Sequence, residues 1–159
     1  MPKKVLVIED SKVDADIVKD LLTKEGVEVD VANDGETGVK KAEKIIKEKG
    51  LDKAKKKADR EVMSGLVYSY LHQTGRVGVM VEIACETDFV AKNKEFKDLC
   101  KEIAMQVASM NPKDVKELLK QDYFRDTSKK VEELVKELIG KIGENMKVVR
   151  FVRFELGGK

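Results

Sequence analysis

The first apolar positions along the chain are contiguous. Val5-Leu6-Val7-Ile8 has no polar interruption, the pattern of a strand buried on both faces in a parallel sheet, and it closes on Glu9-Asp10. Ser11 followed by Asp14 forms a capping box, after which Val13, Ile17, Val18, Leu21 and Leu22 share one face of a helix that Gly26 ends. Val27, Val29 and Val31 then alternate with Glu28 and Asp30 as a second strand. Asn33-Asp34-Gly35 supplies a turn, and Val39, Ala42, Ile45 and Ile46 line a second helix expected to run to Gly50. The opening of the chain therefore reads β-α-β-α. Two parallel strands and two helices are too few to close a doubly wound sheet, so their outer edges call for cover from the rest of the chain or from a second copy.

The period changes after residue 63. Ser64 to His72 reads as a strand, Gln73-Thr74-Gly75-Arg76 as a turn, and Val77, Val79, Val81, Ile83 and Cys85 alternate along a returning strand, which makes a β-hairpin. Asn93 is placed to cap a helix whose apolar face is Phe96, Leu99, Cys100, Ile103, Ala104 and Val107, ending before Asn111-Pro112. Pro112 opens a shorter helix through Val115, Leu118 and Leu119. Ser128 precedes another, with Val131, Leu134, Val135, Leu138, Ile139 and Ile142 on one side, and Val148 to Leu156 reads as a final strand. The fold class expected is α+β: a three-stranded antiparallel sheet with helices on one face, preceded by the βαβα segment.

Composition sets the bounds. The chain has 159 residues, 39% charged against 42% hydrophobic, so a core is available and most charges must pair or face water. There is no secretory signal and no run of about 18 apolar residues, so a cytoplasmic protein without a membrane partner is expected. Cys85 and Cys100 lack ligand spacing, and with a single histidine in the chain no zinc site is expected; they read as reduced, buried thiols. The net charge of +2 conceals an asymmetry. Residues 1–39 carry net −5 and residues 40–60 net +6, which marks a junction between units of different character. The basic run from Lys53 to Arg60 lacks interleaved aromatics, so it reads as a solvated helix or linker, and no direct nucleic-acid partner is expected.

KKVLVIEDSKVDADIVKDLLTKEG followed by VEVDVANDGETGVKKAE resembles the first half of a response-regulator receiver domain. By that resemblance Glu9 and Asp10 occupy the acidic pair that helps hold a magnesium ion in the family, since clustered carboxylates at a strand end suit a hard cation. The family's phosphoryl acceptor lies on a third strand, and nothing after Lys49 resembles it. The pair is therefore vestigial, with no metal site expected and no phosphoryl transfer. A signalling receiver would be labelled by acetyl phosphate.

HQTGRVGVMVEIACETDFVAKNKEF resembles the central signature of bacterial elongation factor Ts, and KIGENMKVVRFVRFELG its C-terminal signature. AEKIIKEKGLDKAKKKADRE is similar to the end of that family's N-terminal helical domain and the linker after it. Together these stretches cover roughly residues 42–159. The organisation expected is a receiver-like segment over residues 1–44, a basic helix and linker over 45–62, and an elongation factor Ts core over 63–159. The resemblance implies a guanine-nucleotide exchange factor rather than an enzyme, with elongation factor Tu as partner and no cofactor. Because one copy of the core is present, and members with one copy act as dimers, it also implies a homodimer through the core sheet.

The family's Thr-Asp-Phe-Val loop falls on Thr87, Asp88, Phe89 and Val90, and its hairpin histidine on His72. By resemblance Asp88 and Phe89 intrude between helices of the GTPase domain and disturb its magnesium and phosphate site. Spacing alone admits plainer readings: Phe89 as the first core residue of the following helix, Asp88 as an N-cap, His72 as a histidine beside a turn. Two features depart from the family. Most of the N-terminal three-helix domain is replaced by the receiver-like segment, and the stretch between Asn111-Pro112 and Ser128 is shorter than usual. An engineered chimera of a half-receiver and a Ts core, with weak or no exchange activity, is the alternative.

Overall fold

A computed structural model describes residues 3–158. The chain divides into two compact units between Lys49 and Gly50. The first holds β1 (Lys4–Ile8), α1 (Lys12–Lys24), β2 (Glu28–Ala32) and the beginning of α2 (Gly35–Lys57). β1 and β2 pair in parallel from Lys4 opposite Glu28 to Ile8 opposite Ala32. The Ser11 hydroxyl caps α1 by accepting from the Asp14 amide, and the Asp34 carboxylate caps α2 by accepting from the Thr37 amide (2.7 Å) and hydroxyl (2.9 Å). Those two bonds hold the Asp34 carboxyl below the usual carboxylate range. α2 lies close against the sheet: a Cβ on Gly38 would stand 2.6 Å from Ile8 Cδ1, and Lys41 reaches both Asp30 (2.7 Å) and the Val31 carbonyl (2.6 Å). Among the described residues of this unit, Ala15 and Ala32 are the only buried apolar side chains.

Gly50 does not end α2, contrary to expectation. The helix runs on to Lys57, carrying Ala54 into the core of the second unit. Gly50 instead serves a close approach: a Cβ on Gly140 would stand 2.5 Å from Gly50 Cα and 2.7 Å from its carbonyl oxygen. Leu51, Ala54 and the lysines around them are good helix formers, so packing and propensity together carry the helix through the glycine.

The second unit is built on a three-stranded antiparallel sheet in the order β3 (Ser64–Leu71), β4 (Val77–Cys85), β7 (Met146–Glu155). Val79, Val81, Ile83 and Cys85 of β4 face the core, as their alternation predicts. Over them lies α4 (Lys94–Met110), burying Phe96, Leu99, Cys100, Ile103, Ala104 and Val107. Asn93 caps it by accepting from the Glu95 amide (2.8 Å), and Asn111, in the left-handed conformation, closes it. α6 (Val131–Ile142) adds Val131, Val135 and Ile139 to the same core. Burial pushes the Cys100 thiol up to about 12 and raises Cys85 as well, which suits inert, reduced side chains.

Three local features differ from the sequence reading. Pro112 precedes rather than opens the short helix, which is α5 (Val115–Lys120), capped by Asp114 accepting from the Glu117 amide (2.8 Å). Ser128 lies in a strand: β5 (Asp122–Tyr123) and β6 (Asp126–Lys130) form a small hairpin that periodicity had not shown. Fully buried Gln106 secures it, donating to Gln121 Oε1 and the Asp122 carbonyl (3.1 Å each) and accepting from the Phe124 amide (2.9 Å). In β7 the register slips opposite Glu82 and Ile83, so Val149 is a bulge residue. Met146 and Val148 point inward before it, whereas Phe151 and Arg153 take the inward row after it. Arg153 is satisfied there by Glu155 (2.6 Å) and the Ala108 carbonyl.

The Gly50–Gly140 crossing yields an asymmetric expectation. Gly50→Ala, whose Cβ would meet nothing nearer than 3.9 Å, should raise the unfolding free energy by about 1 kcal/mol through helix propensity. Gly140→Ala should lower stability by about 1–3 kcal/mol, because the neighbouring backbone cannot move aside. Equal effects of the two substitutions in urea titrations would refute the close approach.

Candidate functional site

The turn between β4 and α4 carries the candidate loop. Thr87 is the N-cap of a five-residue helix, α3 (Asp88–Lys92); its hydroxyl accepts from the Val90 amide. Thr87, not Asp88, is therefore the cap. Asp88 opens the helix, and its Oδ1 accepts a short hydrogen bond (2.5 Å) from the Ser64 hydroxyl on β3. Ser64 can reach it because the strand register sets Ser64 opposite Cys85. Phe89 is 90% exposed, which rules out the reading of it as a core residue. An isolated ring of that size in water forgoes roughly 1.5–3 kcal/mol of burial, so a partner that covered it would recover that amount. Val90, by contrast, is 6% exposed and belongs to the core, so its side chain anchors α3.

The turn is braced from beneath by groups the sequence reading did not assign. Glu144, at the start of the segment leading into β7, accepts from the Thr87 amide (3.1 Å) and hydroxyl (2.8 Å). Glu86 accepts from the Asn145 amide (2.6 Å) and forms an ion pair with Arg60 at 3.5 Å. Asn145 is itself buried, and its side-chain amide donates to the carbonyls of Ala58 (3.2 Å) and Arg60 (2.8 Å). The Lys57 ammonium donates to the Gly143 carbonyl. Below the turn the Cys85 thiol donates to the Thr87 carbonyl (3.2 Å). The segment Gly143-Glu144-Asn145 thus ties the turn to the residues that follow α2. The GEN stretch of the C-terminal signature was the available signal, but a motif does not say which carboxylate meets which amide.

His72 lies elsewhere. It sits at the β3–β4 turn, exposed, with Nδ1 3.1 Å from the Tyr70 hydroxyl; its amide donates to the Val77 carbonyl and its carbonyl accepts from Gly75. β4 runs nine residues from that end to Cys85, about 27 Å at the usual strand rise. His72 and the Asp88–Phe89 pair are therefore two separate surfaces at opposite ends of one strand. Glu9 and Asp10 follow β1, with Glu9 accepting from the Ser11 amide (3.1 Å). Among the described residues no group of three or more His, Cys, Asp or Glu is placed to hold a metal ion, and no helix is long and apolar enough to cross a membrane.

One further surface stands out. The sheet face away from α4 carries Val67, Met80 and Val152 in its middle and Leu71 and Phe154 at one end, all between 42% and 68% exposed. A shallow depression of about 340 Å³ lies among Val67, Met80, Glu82, Arg150 and Val152, with Glu82 and Arg150 paired at 2.6 Å.

Comparison with known proteins places relatives beside this geometry. The profile of the family described as Elongation factor TS matches residues 86–159, which contain the Thr87 turn, α4, α6 and β7. Elongation factor Ts of Caldanaerobacter subterraneus subsp. tengcongensis is 38% identical over 164 aligned residues, spanning 75% of this chain and 82% of the relative. That of a Thermoanaerobacter species is 40% identical over 75% of this chain and 80% of the relative, and that of Coprothermobacter proteolyticus 38% identical over 77% and 86%.

The bracing predicts a local readout. Glu144→Ala should speed hydrogen exchange of the Thr87 amide by about tenfold or more and cost about 1–2 kcal/mol of stability, as loss of a charged acceptor does. Unchanged exchange at Thr87 would mean that the carboxylate does not hold the turn.

Proposed function

Because this chain belongs to the elongation factor Ts family, whose members are translation elongation factors, we propose that it binds elongation factor Tu in the cytoplasm and promotes GDP release, with Phe89 and Asp88 as the intruding pair. The observation that carries this reading is the 90% exposure of Phe89 on a turn whose amide, hydroxyl and carbonyl are all engaged. A ring that is already outward and already fixed loses little freedom on docking, so more of its contact energy appears as binding. Exchange then follows from linkage. A factor that binds the nucleotide-free GTPase more tightly than the GDP-bound form weakens GDP by the same factor, and needs no catalytic group to do so. His72 gives a second contact about one strand length away, which suits a partner surface of more than one domain.

The same reading includes a homodimer through the sheet face that bears Val67, Met80 and Val152. Its support is the patch of exposed apolar side chains on one sheet face, with Met80 directly opposite Val152 and Val67 one row away opposite Glu82, an apolar patch of the kind that marks an interface. Light scattering should give a species heavier than the 17.9 kDa single chain. A single-chain mass at tens of micromolar would contradict it.

A second reading, a Ts core joined to a receiver-like half and weak in exchange, draws on the division of the chain into two compact units between Lys49 and Gly50. One assay separates the two. This chain should accelerate release of a fluorescent GDP analogue from elongation factor Tu, and an Asp88→Ala/Phe89→Ala double variant should lose most of that acceleration. If the folded chain gives no acceleration, the second reading holds.

A further inference from the structure

Among the described residues β1 pairs with β2 alone, which leaves its other edge open. In a parallel pair each strand residue directs its N–H and C=O to one side, and successive residues alternate. The Lys3 carbonyl accepts from Glu28 and the Glu9 amide donates to Ala32, so the odd-numbered residues of β1 face β2. Lys4, Leu6 and Ile8 therefore direct their backbone groups to the opposite edge, where no strand of the described residues pairs. That edge is guarded by charge only at its ends. Its centre, Val5-Leu6-Val7-Ile8, has no proline, bulge or inward charge, and Val5 and Ile8 are 38% and 50% exposed. The charges sit at the ends, with Lys3 and Lys4 before the apolar run and Glu9 and Asp10 after it.

From this pattern we infer that a second copy of the chain pairs its β1 antiparallel to this edge, giving a four-stranded sheet in the order β2-β1-β1-β2. A strand that is basic at one end and acidic at the other complements itself only when antiparallel; a parallel approach sets lysine on lysine and carboxylate on carboxylate. Geometry then selects the register. A two-fold axis normal to the sheet keeps side-chain faces aligned, so opposed residues must both be even or both odd, and the hydrogen-bonded positions must be the even ones. Leu6 opposite Leu6 of the second copy meets both conditions. Lys4 then faces Ile8, Val5 faces Val7, and Lys3 faces Glu9 in the closer, non-hydrogen-bonded position on both sides of the axis. A slide by two residues one way sets Glu9 against Val5, and the other way sets Lys3 against Val7.

This surface is in a different unit from the core sheet, and the inference does not depend on nucleotide exchange. It is tested in the full chain by oxidative cross-linking of Leu6→Cys, since a hydrogen-bonded antiparallel pair has Cα atoms about 5.5 Å apart, within disulfide reach. Both native cysteines are buried. Leu6→Cys should give a doubled mass on a non-reducing gel, whereas Lys24→Cys, exposed at the end of α1, should stay single. Adding Lys3→Glu should weaken the association and its cross-link yield by about tenfold, and Glu9→Lys on top should restore it. In the unaltered chain the Leu6 and Ile8 amides should exchange as slowly as Val7. A single mass for Leu6→Cys in a chain with unchanged circular dichroism, a yield indifferent to Lys3→Glu, or fast exchange at Leu6 would each overturn the inference.

Discussion

One carboxylate holds the turn on which the candidate surface stands. Glu144 takes both the amide and the hydroxyl of Thr87, and the residues around it leave that turn little freedom. The Thr87 hydroxyl caps α3, its carbonyl accepts from Cys85, and Glu86 on the preceding residue is held by the Asn145 amide. The arrangement explains how a phenylalanine can stand in water without folding back on the core. Val90, one residue on, is buried, so α3 is fastened on both sides of the exposed ring. A ring on a slack loop would lose ordering entropy each time a partner covered it, and a braced turn avoids that loss.

The brace exists because the sheet and α4 bring distant segments together. Glu144 and Asn145 lie just ahead of β7, Glu86 and Thr87 just beyond β4, and Ser64 at the start of β3. The antiparallel order β3-β4-β7 gathers all three at one end of the sheet. α4, with its apolar face in the core, fixes where the turn must end, through the Asn93 cap. Asn145, buried and donating to Ala58 and Arg60, extends the same network to the chain that leaves α2.

Much of this fold was legible because the core follows strict periods. β4 alternates without a fault, and the apolar stripe of α4 lies on one face, so their burial could be read residue by residue. The misses have physical causes. Gly50 carries the same letter whether it ends a helix or admits a neighbouring backbone, and only the position of Gly140 decides. The β5–β6 hairpin has no apolar alternation because Gln106, a polar residue on a helix, pins it. The bulge at Val149 inverts the inward row of β7, which a period of two cannot foretell. At the site, resemblance located Thr87 to Val90 but could not divide them into exposed and buried. Packing of α3 does that, turning Phe89 out and Val90 in.

The two units differ in how far each is complete. The second closes a core around β4, α4 and α6, and its buried polar groups Gln106 and Asn145 are paired. The first has two parallel strands, a layer normally covered on both faces and continued at both edges, and among its described residues it buries only two apolar side chains, both alanines. Burial of that size does not offset the conformational entropy of ordering so many residues. Its open strand edge and exposed Val5, Ile8 and Ile17 are thus two sides of one deficit, missing neighbours. The charge pattern of β1 says what kind of neighbour would fit. Lysines before and carboxylates after an apolar run make the strand its own antiparallel complement, so the segment with the least internal burial is the one whose sequence most directly specifies an external partner.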